Sequence, residues 1–483
     1  MYIGLDLGTS GIRAILVSAA GKVLASAEAG YPVAHPHPGW SEQNPADWIA
    51  ATRTILAELR DKVPGDLARV RGIGLSGQMH GATLLDESGT VLRPCLLWND
   101  TRSHEQAARL DATAGVREAS GNIVFPGFTA PKVLWVAENE PEIFARVAKV
   151  LLPKDYLKFW LTGRTVSDMS DSAGTAWMDV GGRCWSEGLL AASGMRRDQM
   201  PELAEGTGIV GPMRADLAAE LGLPQNVQVV AGGGDNAAAA CGVGALGEGD
   251  GFVSLGTSGV LLTARDGFAP KPESAVHTFC HAVPGRWYQM GVMLAATDSL
   301  NWLSRVLGLG PAELTSELGE TLSAPGSIRF LPYLSGERTP HNDSAVRGAF
   351  LNLGIAADRA DLTRAVIEGV SFGLRDSLEA LRATGANPKS LLAIGGGTGS
   401  RYWLELLATV LNLPLDLPEQ GEFGAAMGAA RLAICGVTGA DPKAVMTHPA
   451  IADTIEPRVD LTGAYNDAWR SFAASYDRIR DLP

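Results

Sequence analysis

Residues 6–11 read Asp-Leu-Gly-Thr-Ser-Gly, and residues 254–259 read Ser-Leu-Gly-Thr-Ser-Gly. Five of the six positions agree at an offset of 248, close to half of the 483-residue chain. An apolar, β-type stretch precedes each copy (Tyr2-Ile3-Gly4-Leu5; Gly251-Phe252-Val253), and another follows at 12–17 and 260–263. Each copy therefore reads as a β-hairpin turning at Gly-Thr-Ser-Gly. One such hexamer is a commonplace turn. Two, each opening one half, predict a pair of similarly folded domains.

Outside the hairpins, strand-like and helix-like segments alternate, which predicts an α/β architecture. Residues 70–75 and 227–231 read as strands, the second running into Gly232-Gly233-Gly234. Residues 361–382 form an amphipathic helix, with Leu362, Ala365, Val366, Val370, Leu374, Leu378 and Leu381 on one side and Gly385 as its stop. A strand at 391–394 enters Gly395-Gly396-Gly397, and a second helix follows from an N-cap at Ser400, burying Trp403, Leu406, Leu407 and Val410. No low-complexity linker separates the halves, and the boundary is expected at 242–251, where small residues concentrate.

Composition narrows the class. The hydrophobic share is 46%, the charged share 19% and the mean hydropathy +0.07. That describes a globular chain with ample core and excludes disorder for its bulk. A net charge of −13 argues against nucleic acid or an anionic membrane as partner. No run of about 18 apolar residues occurs, so no membrane span is expected. The start Met1-Tyr2-Ile3-Gly4-Leu5 carries no leader pattern, which makes the expected location cytoplasmic. The five cysteines lie no closer than 39 positions apart and include no CxxC pair, so they read as buried free thiols.

Four places can carry chemistry. The two Gly-Thr-Ser-Gly turns offer amides and hydroxyls able to wrap phosphate oxygens, and turns from two domains could grip one polyphosphate. Asp6 ends the first apolar strand, and Asp235 follows three glycines at the end of another. A carboxylate so placed can hold Mg²⁺ or take a proton from a substrate hydroxyl, while Asp235 also reads as the N-cap of a helix opening at Asn236. Gly395-Gly396-Gly397 lets a flat or charged ligand approach the backbone beside a helix N-terminus, or is simply a tight turn. Residues 421–428 supply a second small-residue approach with the same ambiguity. Finally, Gln78-Met79-His80 and Trp98-Asn99-Asp100 place hydrogen-bonding groups suited to a small polyol on loops. The only Gly-Lys pair, Gly21-Lys22, is followed by Val23, and no nucleophile elbow or dinucleotide fingerprint is present. Nucleotide use must come from another fold.

Longer blocks carry a resemblance. The stretch 2–11, the run Gly127-Phe128-Thr129-Ala130-Pro131-Lys132-Val133-Leu134-Trp135 through Asn139, and Gly348-Ala349-Phe350 with Asp361-Leu362 and Ala365-Val366-Ile367-Glu368 resemble signatures of the FGGY carbohydrate kinases over nearly the whole chain. Residues 78–86, 152–157, 167–171 and 331–340 are similar to the bacterial members that phosphorylate D-xylulose.

The resemblance implies two actin/sugar-kinase/hexokinase-like (ribonuclease H-like) domains around a deep cleft. Residues 1–245 would carry most of the sugar site, and 246–483 most of the ATP site. The implied reaction converts ATP and D-xylulose to ADP and D-xylulose 5-phosphate, feeding xylose catabolism. Other ketopentoses or pentitols such as D-ribulose are the nearest alternatives, and a non-catalytic sugar or ATP sensor a more distant one. By the same carry-over Asp235 is the general base. Asp6 and Asp235 place Mg²⁺. Gln78, Met79, His80, Trp98, Asp235 and Asn236 meet the sugar. Thr9, Ser10, Arg13, Thr257, Ser258, Gly395, Gly396, Gly397 and Asn412 meet ATP. The family makes a homodimer plausible, although no residue pattern shows one. The sequence departs from the pattern at Asn352, where the signature has glycine, at Thr398-Gly399, at Thr409, and at Thr297-Asp298, where a carboxylate is expected to retune sugar choice.

Overall fold

The computed structural model describes residues 1–419 and 424–482. The first sheet contains β1 (Tyr2–Leu7), β2 (Gly11–Val17), β3 (Val23–Gly30), β4 (Gly72–Gly77), β5 (Ile209–Pro212), β6 (Gln228–Val230) and the short β7 (Gly233–Gly234). Its order is β5-β6-β4-β1-β2-β3, with β7 also paired to β4. The second contains β8 (Gly251–Leu255), β9 (Gly259–Arg265), β10 (His277–Cys280), β11 (Trp287–Met293), β12 (Leu391–Ile394), β13 (Leu415–Pro418) and β14 (Ile451–Ile455), in the order β10-β11-β9-β8-β12-β13-β14.

The duplication seen in two hexamers extends through both sheets. Each central strand, β1 or β8, is antiparallel to its hairpin partner and parallel to the strand on its other side, β4 or β12. Beyond that lies a second parallel strand, β6 or β13, and then an antiparallel edge strand, β5 or β14. The repeated element is thus a whole mixed sheet, the two-domain α/β fold that the hexamers predicted.

The main helices are α1 (Pro45–Lys62), α2 (Pro153–Thr162), α3 (Asp235–Val243), α4 (Thr297–Leu307), α5 (Arg359–Ala383), α6 (Arg401–Leu411), α7 (Ala425–Thr438) and α8 (Val459–Ile479). Helix α1 starts where the Asn44 side chain accepts the Ala46 amide and Pro45 fixes the first φ, and it buries Trp48, Ile55, Leu56 and Leu59 in the core that holds Leu5, Leu7 and Leu75. Helix α5 opens with a reciprocal bond between Asp358 and Asp361 and buries Val366, Val370, Leu374 and Leu378 in the second core with Trp403, Leu406 and Leu407 of α6. The Ser400 cap is present, its side chain accepting from the Trp403 amide.

Helix α7 belongs to the second half in sequence but packs on the first sheet. A Cβ at Gly4 of β1 would lie 1.9 Å from the Ala426 carbonyl oxygen, and one at Gly74 of β4 would lie 1.9 Å from that of Ala429. A Cβ at Gly428 would lie 1.7 Å from the Ala238 oxygen of α3. Backbone therefore meets backbone at three points, which only glycine permits.

Several expectations shift. The strand expected at 70–75 runs from Gly72 to Gly77, and that expected at 227–231 is β6, so Ala231 and Gly232 already leave the ladder. Four cysteines are buried, but Cys184 is exposed, at the short β-pair with Asp179. Residues 421–423 of the small-residue approach lie outside the described residues. Among the described residues no helix is long and apolar enough to cross a membrane.

Gly428→Ala should destabilise the protein by about 1–3 kcal/mol or more, since neither helix backbone can yield to the added methyl. Gly463→Ala, inside α8 with nothing within 4 Å of the added methyl, should stabilise it by about 1 kcal/mol. Urea unfolding midpoints at constant m decide both.

Candidate active site

Asp6 lies near the end of β1, directly across the hairpin from Arg13 and beside Ser76 of β4. The side chain is half-buried, and its fully covered Oδ1 has no hydrogen-bond partner. Withdrawal from water pushes its carboxyl above the ordinary range, while Ser76 and the Arg13 charge pull it back. Asp235 is the first residue of α3, immediately after β7, and Gly234 occupies the cap position. The expected N-cap role is thus corrected: Asp235, half-buried, is already the first helical residue. Its Oδ1 accepts from the Asn236 amide at 2.6 Å and from Asn236 Nδ2 at 2.9 Å. Burial first and then the charge of Asp6 raise its pKa to about 6, against the pull of the two Asn236 donors.

Two carboxylates that feel each other's charge, one with an orphaned oxygen, fit a divalent cation. No group of three or more His, Cys, Asp or Glu among the described residues is arranged to hold a metal. Mg²⁺ arriving with phosphates needs no more than one or two carboxylates.

The 78–80 loop leaves β4 beside these acids. His80 has a positive φ of 70°, and its strained carbonyl is held by Lys132 Nζ at 2.9 Å and Thr129 Oγ1 at 3.0 Å. Its Nδ1 lies 2.7 Å from the Gly174 carbonyl, and its ring stacks on Phe128 with centroids 4.7 Å apart. A carbonyl can only accept, so Nδ1 carries the proton and Nε2 presents a lone pair. Burial, then the Lys132 charge, push the His80 pKa down to about 3, which keeps the ring neutral. Two residues earlier, Gln78 belongs to a closed circuit. Trp98 Nε1 donates to Thr9 Oγ1 at 2.9 Å, and Thr9 Oγ1 to Gln78 Oε1 at 3.2 Å. Gln78 Nε2 donates to Gln43 Oε1 at 2.9 Å, and Gln43 Nε2 to the Thr9 carbonyl at 2.6 Å. The Thr9 hydroxyl is therefore engaged with the 78–80 loop, whereas Ser10 is exposed at the turn tip.

The second turn is anchored by α4. Thr297 donates to the Gly256 carbonyl from its amide at 2.9 Å and its hydroxyl at 2.8 Å, leaving Thr257 and Ser258 exposed. Gly395, at φ 95°, starts a tight turn through Gly396 and Gly397 that the Thr398 hydroxyl closes on the Gly395 carbonyl at 2.7 Å. Thr297, Asn301, Ser316, Gly396, Gly397 and Tyr402 are among the residues around an open cavity of about 960 Å³. Thr297 thus lines this cavity, and Asp298 follows it in the first turn of α4. Asn412 does not line this cavity. It is the left-handed C-cap of α6, at φ 51°, and lies about 16 Å along that 11-residue helix from the end lining the cavity.

The remaining departures are absorbed locally. Asn352 adopts φ 62°, the left-handed conformation a glycine would supply, and its Nδ2 bonds the Ser327 carbonyl at 3.0 Å. Thr409 is buried and accepts from the Arg458 amide at 3.0 Å. Sequence reasoning did not single out Gln43, Gly174, Asn301 or Ser316. Lys132 and Thr129 lay within the quoted 127–139 run, but their grip on His80 is visible only in three dimensions.

A duplicated mixed sheet, with two acids at strand ends beside a polyol-sized loop and a separate glycine-bearing cavity in the second half, fits an ATP-dependent carbohydrate kinase of the actin-like, two-domain class. Residues 1–242 match the N-terminal domain of the FGGY family of carbohydrate kinases, and residues 251–437 match its C-terminal domain. The chain is 48% identical to the xylulose kinase of Klebsiella pneumoniae over 485 residues, covering 100% of both. It is 48% identical to that of Escherichia coli strain K12 over 436 residues, 90% of this chain and 89% of the relative. A crystal structure of a xyloylose kinase from Brucella ovis superposes with a TM-score of 0.98 at 57% identity, covering 100% of both chains. The chain belongs to the FGGY family of carbohydrate kinases.

The His80 ring should stay neutral throughout the ordinary working range. Its carbon–proton NMR resonances are expected to hold constant from pH 8 to pH 5, where an ordinary imidazole titrates. His448, whose pKa is raised by its bond to Asp250, should titrate above the usual value in the same spectra.

Proposed function

We propose that this kinase transfers the γ-phosphoryl group of ATP to the terminal hydroxyl of D-xylulose, giving ADP and D-xylulose 5-phosphate. The observation that carries the proposal is the placement of Asp235, with its raised pKa, within the field of Asp6 and directly after Gly234, where a Cβ would lie 3.0 Å from Met79 Cγ of the 78–80 loop. The full-length likeness to xylulose kinases supports the choice of sugar.

In this reading Asp235 takes the proton of the attacking hydroxyl, and Asn236 fixes which carboxylate oxygen is free to do so. Met79 and the Nε2 lone pair of neutral His80 receive the sugar, with Gln78 and Trp98 holding the loop. Residues 1–245 form the sugar side and 246–483 the nucleotide side. Ser10, Thr257, Ser258 and the 395–397 backbone wrap the phosphates, with Arg13 contributing positive charge from beside Asp6. Mg²⁺ held by Asp6 and Asp235 would neutralise phosphate charge. Phosphoryl transfer asks the protein for positioning and charge compensation more than for covalent chemistry, and this arrangement supplies both.

Coupled ADP release with Mg·ATP and a panel including D-xylulose, D-ribulose and pentitols tests the proposal. D-xylulose should turn over fastest, and Asp235→Asn should lower kcat by roughly 10²–10⁴-fold. Faster turnover of another sugar would overturn the substrate, and an unimpaired Asp235→Asn the base. The pH profile has a definite sign. Asp235 must be ionised to accept a proton, so kcat/KM should fall about tenfold per pH unit below its pKa of about 6 and level off above it.

A further inference from the structure

The blocks at 152–157 and 167–171 are not used by any step above, yet with Lys158 they hold a dense cluster of buried ionisable groups. Lys154, Asp155, Lys158, Asp168 and Asp171 are all fully buried. Lys154 Nζ lies 2.7 Å from Asp155 Oδ1, 2.5 Å from Asp168 Oδ2 and 2.9 Å from Asp171 Oδ2. Lys158 Nζ lies 3.0 Å from Asp155 Oδ1.

Two members of this cluster reach out to backbone, and both reach the same short segment. Lys158 Nζ donates to the Ala231 carbonyl at 2.7 Å. Ser170 Oγ donates to Asp168 Oδ1 at 2.5 Å and accepts from the Gly234 amide at 3.0 Å. Between those anchors Gly232 sits at φ 84°, and Asp235 follows directly after the second. The stem of Lys154 also abuts the end of β4, where a Cβ at Gly77 would lie 3.0 Å from Lys154 Cβ. The cluster thus touches the roots of both the Asp235 and the 78–80 segments.

Burying five ionisable groups is a poor route to stability, because the desolvation cost rivals the attraction and apolar side chains of like volume often do as well. What ion pairs and charge-assisted bonds add is fixed geometry. A triple-glycine segment has no side chains of its own to fix it.

We infer that the Lys154 cluster is a positioning device for the general base, with Ser170 and Lys158 as the positioning residues that hold the 231–234 backbone and hence the Asp235 carboxylate. None of these groups meets substrate. The inference rests on Asp235 being the base.

The test is a double-mutant cycle of Ser170→Ala with Asp235→Asn, read by coupled ADP release under saturating Mg·ATP and sugar. Ser170→Ala should lower kcat roughly tenfold or more with both KM values nearly unchanged, since misplacing a reacting group weakens the transition state alone. In the Asp235→Asn background the same change should cost less than about twofold, because the group it positions is gone. An equal loss in both backgrounds, a rise in KM alone, or no loss at all would overturn the inference. Asp168→Asn, of unchanged shape, is the second variant should Ser170→Ala fail to fold, with the same background dependence expected. Full activity of Asp235→Asn would remove the base assignment and this inference together. A damaged Asp235→Asn beside an unimpaired Ser170→Ala would remove the inference alone.

Discussion

The contact on which the rest of the molecule depends is the seat of helix Ala425–Thr438 on the first sheet and on helix Asp235–Val243. At Gly4, Gly74 and Gly428 the spacing is set by carbonyl oxygens and α-carbons, atoms with no rotamers to adjust. Such a joint transmits position without slack, because a packed interior deforms little and has no side chain here to absorb an error. Both proposed carboxylates hang from it. Asp6 sits two residues beyond Gly4 on β1, and Asp235 opens the helix against which Gly428 rests. The high glycine content, 58 residues, has one of its physical reasons here.

This joint also shows where the sequence stops being readable. The hexamer repeat revealed the duplication, since a turn needs particular residues at particular places and leaves a local trace. Helix Arg359–Ala383 was equally visible through its apolar period and its stop at Gly385. The return of helix Ala425–Thr438 to the first sheet left no local trace. Its Ala- and Gly-rich face says that something approaches closely, but not which sheet does so. Strand order beyond the hairpins was hidden for the same reason, as each pairing is a long-range event.

The site divides along the same line. Asp6, Asp235, Met79 and His80 were legible as residue types at strand ends, and the structure brings them together. Their electrical state was not, because desolvation is a property of the finished fold. The same imidazole sequence could titrate near neutrality on a surface, yet here burial and Lys132 hold it neutral. Asn412 stands apart because one helix points its two ends at different places, and its Ser400 end meets the cavity. Asn352 shows the reverse. A departure in letter preserved the left-handed backbone, as Asn tolerates that conformation better than most residues.

The two sides of the site are built on different physical terms, and that difference suits what each must recognise. Around His80 and Gln78, polar atoms are already committed to protein partners, which leaves a few aimed groups such as the Nε2 lone pair. A hydroxyl placed wrongly there would leave a buried group unpaired, so discrimination between sugars of equal bulk falls to hydrogen bonding. By contrast Ser10, Thr257 and Ser258 stand exposed on hairpin tips, and Gly396, Gly397 and Gly399 are among the residues lining the cavity. Amides and hydroxyls on open turns bind phosphate oxygens without choosing among them finely. In the proposed reading, selectivity among sugars falls to the 78–80 loop and phosphate binding to the open turns. The carboxylate proposed to act where the two reactants meet is the first residue of helix Asp235–Val243.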